Sequence, residues 1–328
     1  MLLRTTERNW PLKTAFVTSQ DNLSEIDTVH VEVSTKECAG RGEALGVDYH
    51  GETSSSILGD LEGVRSLVER STDPAMLRAQ LLTELKPGGA RNALDCALWD
   101  LQAKQSGARV WQLLDRTVQQ LQTVITLNLD TPEEMDRQAR AAVGFSTVKL
   151  KVDANNPIAC IAAVHEARPD CEIIIDANSA WSLDQLRQWA PALQKLNVTL
   201  IEQPLGVGHD EALVDFQCEI PLCADESIQD IEQLEYVAER YQVINIKLDK
   251  TGGLTAALQL LEASQKLNLS IMVGNMLGSS LAMAPAFIIG QHCRWVDLDG
   301  PLLQAKDMQA AILYDGSTMH APCAKLWG

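Results

Sequence analysis

Thr147-Val148-Lys149-Leu150-Lys151-Val152 constrains this chain more than any other stretch. It alternates strictly, so as a β-strand it sends Lys149 and Lys151 to one side, about 6.8 Å apart along the strand. Two lysines on the inward side of an otherwise apolar strand are costly unless anions meet them. The next strand-like runs supply those anions, for each ends in a carboxylate: Ile173-Ile174-Ile175-Asp176, Leu200-Ile201-Glu202 and Leu222-Cys223-Ala224-Asp225. A further lysine closes Val243-Ile244-Asn245-Ile246-Lys247.

These runs belong to a regular alternation. Strands are expected at 124–129, 147–152, 172–177, 199–203, 222–226, 243–248, 270–273 and 295–299, with helical patterns such as 132–143, 183–196, 231–240 and 254–267 between them. From Lys149 through Asp176, Glu202 and Asp225 to Lys247, neighbouring marks stand 22 to 27 residues apart. Asp297 marks the eighth strand, one strand beyond Ser270–Val273. That period is the period of a (β/α) barrel, in which groups at the C-terminal strand ends converge on one point. Upstream, residues 1–107 read as an α+β unit. Val29 to Val33 alternates as a strand, 40–44 turns into another, and helical patterns cover 61–70, 74–85 and 90–105. Polar loops fall at 19–24 and 48–56. The expected layout is a capping domain of residues 1–107, completed by 305–328, on a barrel of residues 108–304.

Composition narrows the function classes. A net charge of −17 over 328 residues, with no basic run, argues against nucleic-acid and anionic-membrane partners. The segment from Met1 to Lys13 has no apolar core of a signal peptide, and the apolar stretch 281–289 is too short to span a bilayer. Eight scattered cysteines without a CxxC pair predict reduced, mostly buried thiols and a cytoplasmic location. None of the six histidines falls at an expected barrel strand end, and there is no GxSxG, P-loop or dinucleotide fingerprint.

Asp176, Glu202 and Asp225 at the ends of three consecutive strands would repel one another or protonate. A divalent cation resolves this, and an all-oxygen donor set suits Mg²⁺, or alternatively Mn²⁺, rather than Zn²⁺. Lys151 and Lys247 stand on strands two and six, on opposite sides of that cation. One base on each face of a planar intermediate is what a two-base 1,1-proton transfer needs. With Lys149 beside the substrate carboxylate, the intermediate is an enediolate whose charge a cation stabilises. For a lysine to act as base near neutral pH its pKa must fall from about 10.4 to near 7, about 4 kcal/mol.

Several of these segments occur together in one known family. Lys149-Leu150-Lys151, Asp176-Ala177-Asn178, Glu202-Gln203-Pro204, Ala224-Asp225-Glu226-Ser227, the run from Ile246 to Gly253, Asp297-Leu298-Asp299 and Ala90-Arg91-Asn92-Ala93-Leu94-Asp95 resemble the enolase superfamily, muconate-lactonizing subgroup. Within it they are similar to the dipeptide epimerases, typified by L-Ala-D/L-Glu epimerase. The resemblance implies an α/β fold, a modified (β/α)₇β TIM-like barrel under an α+β capping domain. It implies Mg²⁺ on Asp176, Glu202 and Asp225, and acid/base roles for Lys151 and Lys247. It further implies an ammonium site at Asp297 and Asp299, and substrate contacts at Thr126, Asn275 and Leu277. The partner expected is a small-molecule dipeptide, with homo-oligomerisation left open. On the same scaffold an o-succinylbenzoate synthase or muconate-type cycloisomerase is the alternative, but its substrates lack the ammonium that the aspartate pair would meet. A non-catalytic metal-dependent binder would leave the lysine pair without a use. One departure concerns specificity. Glu-specific members carry an arginine in the capping loop, whereas residues 17–24 here hold no cation, and Lys13 just upstream is the one candidate replacement.

Overall fold

The computed structural model describes residues 1–328. It opens on a long strand that the sequence pattern did not announce, β1 (Leu2–Val17), paired antiparallel with β2 (Asn22–Ser34), which pairs in turn with β3 (Ala39–Ala44). β1 escapes a hydrophobic-alternation test because only Leu3, Trp10 and Leu12 are buried along it. Leu3 shares one side of the sheet with Val29, Val31 and Val33 of β2, where they pack with α1 (Ser54–Arg70), α2 (Pro74–Glu84) and α3 (Gly89–Ser106), while Trp10 and Ile26 point to the other. The helix starts follow ordinary capping chemistry: Thr53 accepts from Ser56 N, and Asp73 accepts from Ala75 N ahead of a first-turn Pro74. The loop expected at 48–56 therefore ends early, with a short 3₁₀ turn at Asp48–His50 and α1 beginning at Ser54.

α3 joins the two halves of the molecule. Ala93, Leu94, Ala97, Leu98 and Leu101 pack into the core of the capping sheet, while Cys96, Trp99 and Ala103 belong to the barrel's outer core. β3 lies close enough to α3 that a Cβ on Gly40 or Gly42 would come within 2.1 Å of the Ala97 or Ala93 carbonyl oxygen. Glycine is required there by close approach. On the other face of α3, Arg91 donates to the carbonyls of Thr251 (2.7 Å) and Gly252 (3.2 Å), and Asp95 accepts from Thr255 N and Oγ1. These bonds explain physically why the Ala90–Asp95 and Thr251–Gly253 segments occur together. They pin the capping unit to the chain four residues past Lys247.

After β4 (Leu121–Gln122) come eight parallel strands: β5 (Ile125–Leu127), β6 (Thr147–Lys151), β7 (Glu172–Asp176), β8 (Val198–Glu202), β9 (Leu222–Ala224), β10 (Val243–Lys247), β11 (Ser270–Gly274) and β12 (Trp295–Val296). Each pairs with its neighbours in sequence order, and Val124 N donates to Val296 O at 2.9 Å to bring the first and last together. This is the modified TIM-like barrel of the α/β class. Its interior is layered: Val124, Ile174, Leu200, Cys223, Val243, Met272 and Trp295 form a small apolar plug. Above that plug the inward positions turn polar.

Several strands end sooner than expected, and at β9 and β12 this moves acidic residues off the strands. β9 stops at Ala224 and β12 at Val296, so Asp225, Asp297 and Asp299 stand on loops past the strand ends. Asp297 and Asp299 are therefore not an i, i+2 pair on a strand; the chain at Asp299 (φ −89°, ψ 0°) is already turning into the short helix Gly300–Leu303, which Pro301 favours. The C-terminal segment forms a hairpin of β13 (Tyr314–Asp315) and β14 (Thr318–Met319), and β14 pairs with β4. Its end docks beside α3, where Trp327 Nε1 donates to Cys96 O and Gly328 N to Asp100 Oδ1. No helix is long and apolar enough to cross a membrane. All eight cysteines are free thiols; Cys96, Cys160, Cys171 and Cys223 are buried and Cys323 is exposed.

Candidate active site

The polar layer above the apolar plug is built by alternation on the strands that form it. On β6 the inward residues are Lys149 and Lys151, only 2% and 7% exposed, so neither is a surface lysine. Lys149 Nζ lies 2.8 Å from Asp297 Oδ2, 2.8 Å from Glu202 Oε2 and 3.1 Å from Asp176 Oδ2. Lys151 Nζ donates to Asp176 Oδ2 at 2.7 Å and to Asn178 Oδ1 at 3.1 Å. Across the barrel Lys247, 6% exposed, donates to Asp225 Oδ2 at 2.6 Å.

Burial pushes each carboxyl up, and the neighbouring charges decide which stay down. Lys151 and Lys149 outweigh burial at Asp176 and bring it to about 2. Lys247 and Lys250 do the same at Asp225, holding it far below the usual carboxylate range. At Glu202 burial and the Asp176 charge win, and the group rises to about 7. Burial would lower Lys247, yet Asp225 and Glu202 raise it, and Asp297, Glu202 and Asp176 raise Lys149 in the same way. A lysine acting as base would need to be lowered toward neutrality. In this arrangement the carboxylates hold Lys149 and Lys247 as cations instead.

Asp176 and Glu202 face each other in register on β7 and β8, and Asp225 follows on the next loop. Glu202 Oε2 is buried, with Lys149 at 2.8 Å but no aligned hydrogen bond. Three buried carboxylates, one with an unaligned oxygen, are the donor chemistry a hard divalent cation takes, although paired with lysines they are not drawn together as a ready three-ligand cluster.

A cavity of about 110 Å³ opens over these groups. Lys149, Lys151, Lys247, Asp225, Asp297, Asp299, Thr126, Asn275 and Leu277 all line it. Asp176 and Glu202 lie beneath it, fully buried. Asn275 ties three of these together: its Nδ2 donates to Asp297 O (2.7 Å), and its Oδ1 accepts from Leu277 N (2.8 Å), holding Leu277 at φ +69°. A non-glycine residue in that region stores of order 1–3 kcal/mol, here beside a ligand cavity. Thr126 N donates to Asp299 Oδ2 at 2.6 Å; burial, and then Asp297, raise Asp299 to about 7. From the capping unit come Phe16, Asp21, Leu23, Asp48 and Tyr49. The loop before β2 reaches the barrel rim through Gln20 Nε2, which donates to Asn178 O at 2.9 Å.

Some contributors were not singled out from the sequence. Asn245 donates from Nδ2 to Glu202 Oε1 at 2.8 Å and is packed so tightly that a Cβ on Gly274 would meet its Oδ1 at 2.6 Å. It shares the inward side of β10 with Val243 and Lys247, so strict alternation could have found it. Lys250 donates to Asp225 Oδ1 at 2.6 Å from a helical turn after the strand, where no periodicity marks it. Glu226, raised to about 8 by burial and the adjacent Asp225 charge, also lines the cavity. Lys13 is turned away: its Nζ donates to Leu302 O at 2.8 Å, and it does not line the cavity.

Comparison with known proteins agrees with this architecture. Residues 2–115 match the mandelate racemase / muconate lactonizing enzyme N-terminal domain, and residues 134–322 match the enolase C-terminal domain-like model. The chain belongs to the mandelate racemase / muconate lactonizing enzyme family of the enolase superfamily. It is 43% identical over 298 residues to an N-acetyl-D-glutamate racemase of a Pseudoalteromonas species, covering 91% of this chain and 94% of that one. It is 35% identical over 319 residues to the L-Ala-D/L-Glu epimerase of Escherichia coli K12, covering 96% and 98%. Among solved structures, an enolase family member from Agrobacterium tumefaciens with homology to dipeptide epimerases, holding sodium and L-Ala-L-Glu, superposes with a TM-score of 0.95 at 38% identity over 99% of both chains. The Enterococcus faecalis V583 dipeptide epimerase, complexed with Mg and L-Leu-L-Tyr, superposes at 0.91 with 25% identity, covering 98% of this chain and 96% of that one.

Proposed function

We propose that this protein is a metal-dependent dipeptide epimerase that inverts the α-carbon of the C-terminal residue of a dipeptide. The observation that carries the reading is the pair Lys151 and Lys247 on opposite strands of one cavity, with three ligand-type carboxylates between them. Asp176, Glu202 and Asp225 would hold Mg²⁺, with Mn²⁺ as the alternative ion. When bound, the cation supplies positive charge beside the substrate carboxylate. Lys149 lies next to that position and adds a second positive charge to it. Lys151 takes the α-proton from one face and Lys247 returns one to the other, or the reverse for the opposite enantiomer. Asp297 and Asp299 receive the dipeptide's ammonium. The apolar capping residues Phe16 and Leu23 close over the site and exclude water. Eight free thiols are consistent with a reducing, cytoplasmic setting. The direct test is mass-spectrometric deuterium uptake by a mixed dipeptide library in D₂O; no incorporation into any free-amino dipeptide would overturn the reading.

A second reading, racemisation of an N-acylated amino acid, is favoured by the 43% identical relative named N-acetyl-D-glutamate racemase. The C-terminal residue of a dipeptide is itself an N-acyl amino acid, so both readings share the α-carbon chemistry. They part at the acyl group, which carries an ammonium only in the dipeptide. We expect Asp297→Asn and Asp299→Asn to weaken binding of free-amino dipeptides by about 2–5 kcal/mol, the cost of stripping one partner from a buried charge pair. N-acetylated dipeptides and N-acetylglutamate should be poor substrates of the parent enzyme. Turnover of N-acetylglutamate as fast as of L-Ala-L-Glu would put the second reading in place of the first.

Side-chain specificity at the inverted residue follows from charge. A γ-carboxylate carried into the cavity needs a cation or several donors, or it loses several kcal/mol. The capping side offers Thr18 and Gln20, the acids Asp21 and Asp48, and no arginine or lysine. Although several relatives are named for glutamate substrates, we expect kcat/KM for L-Ala-L-Glu to be matched within about tenfold by L-Ala paired with Leu, Met, Gln or Lys. A hundredfold preference for Glu, about 2.7 kcal/mol, would show that a cation reaches the side chain.

A further inference from the structure

A second cleft lies on the far side of the capping sheet's inner face. Antiparallel partners share a face, so the pairs Thr6–His30, Arg8–Thr28, His30–Glu43 and Glu32–Arg41 put Arg8, His30 and Arg41 on one side of the sheet. It is the side opposite Val29, Val31 and Val33. The C-terminal segment covers it, leaving a cleft of about 280 Å³ between Arg8, Trp10 and Arg41 below and Asp307, Met308 and Lys325 above.

The cations around this cleft are only partly compensated, for Asp307 lines it and the charge of Arg8 is felt at Glu43. In a chain of net charge −17, none of Arg8, Arg41 and Lys325 forms a salt bridge. Arg8 Nη1 has only the Met308 Sδ at 3.5 Å, and Arg41 Nη2 donates to the carbonyls of Lys325 and Leu326. Of three nearby acids, Glu32 stands opposite Arg41 and meets Arg4 at 3.4 Å, and the other two are spoken for. Asp307 accepts from Ser280 N and Oγ and from Met308 N, while Glu43 accepts from Ser279 N and Oγ. Between the two arginines His30 is 7% exposed, and its Nε2 has no hydrogen-bond partner. His30 does not line the cleft, and its unpaired nitrogen shows only that no acid on this face reaches it between the two guanidinium groups. Burial first, and then Arg8 and Arg41, lower its pKa to about 4, so its ring is neutral and does not add to the repulsion.

We propose that this cleft is a binding site for a small multivalent oxyanion, held by Arg8, Arg41 and Lys325. The planar forks of the two arginines suit a phosphate group or a carboxylate pair, which they bind with parallel N–H···O bonds. Through Glu43 and Ser279 the site adjoins the loop that carries Asn275 and Leu277, but it is separate from the cavity above Lys149.

Isothermal titration with inorganic phosphate and with succinate, at constant ionic strength, tests the site in the full chain. Saturable binding of one of them is expected, and which one binds identifies the source as a phosphate or a dicarboxylate. Arg8→Gln and Lys325→Gln should each weaken it at least tenfold, while Lys151→Ala leaves it unchanged. Arg41→Gln is less informative alone, because Arg41 also ties down the C-terminal segment. Absence of saturable binding by either anion overturns the proposal. So does binding that survives both Arg8→Gln and Lys325→Gln, or that is lost in Lys151→Ala, since the anion would then sit elsewhere.

Discussion

Lys151→Ala and Lys247→Ala should each reduce epimerisation at least a thousandfold, while each variant still exchanges the α-proton of a single enantiomer with D₂O. General acid–base catalysis by one positioned group is worth about 10²–10⁴ in rate. Inversion needs both groups, so the loss of either should be complete for inversion and partial for exchange. The two lysines stand on β6 and β10, each bonded to a different carboxylate, Asp176 or Asp225. Neither can reach the other's face by a rotamer change without breaking that bond. Each alanine also strips a buried carboxylate of its cation, so circular dichroism and the melting temperature must accompany the kinetics. Lys151→Met and Lys247→Met keep the aliphatic stem and separate a chemical loss from a folding one. Near-parental epimerisation by either lysine variant would dispose of the two-base mechanism.

The barrel was legible because its signal is local. β6, β7, β8 and β10 each end in a charged inward residue, Lys151, Asp176, Glu202 and Lys247, and Asp225 follows one residue past β9, so alternation and spacing marked the rim before any fold was known. The capping sheet was less so. β1 buries three hydrophobic residues over sixteen positions, because its remaining contacts are to β2 and to the C-terminal segment rather than to an apolar layer. Lys250 was invisible for another reason. It enters the site from a helical turn, where its direction depends on how Thr251 and Gly252 meet Arg91, a contact 160 residues away in sequence. As a pair, Asp297 and Asp299 were legible only through the family resemblance; the strand expected at 295–299 ends at Val296, and the loop toward Gly300 brings both to the cavity all the same.

Removal of the divalent cation should lower turnover more than a thousandfold and leave the protein folded, with activity returning on addition of Mg²⁺. The two halves of that expectation have separate causes. The fold should survive because the carboxylates have cations of their own: Lys149 lies against Asp176 and Glu202, and both Lys247 and Lys250 donate to Asp225. Buried like charges that would otherwise drive the rim apart are thus paired within the chain. The same pairing is incompatible with catalysis. A lysine held as a cation by a carboxylate has no lone pair for an α-proton, and that proton is itself far too weakly acidic beside an uncompensated carboxylate. A thousandfold loss corresponds to about 4 kcal/mol of transition-state stabilisation, well within what a bound cation supplies at a developing anion. The measurement is the initial rate after exhaustive chelation, with metal content determined on the same sample, beside far-ultraviolet circular dichroism. Full activity in metal-free protein would remove the cation from the reaction. Loss of the circular dichroism signal on chelation would instead show that Lys149, Lys247 and Lys250 do not suffice to hold Asp176, Glu202 and Asp225 together.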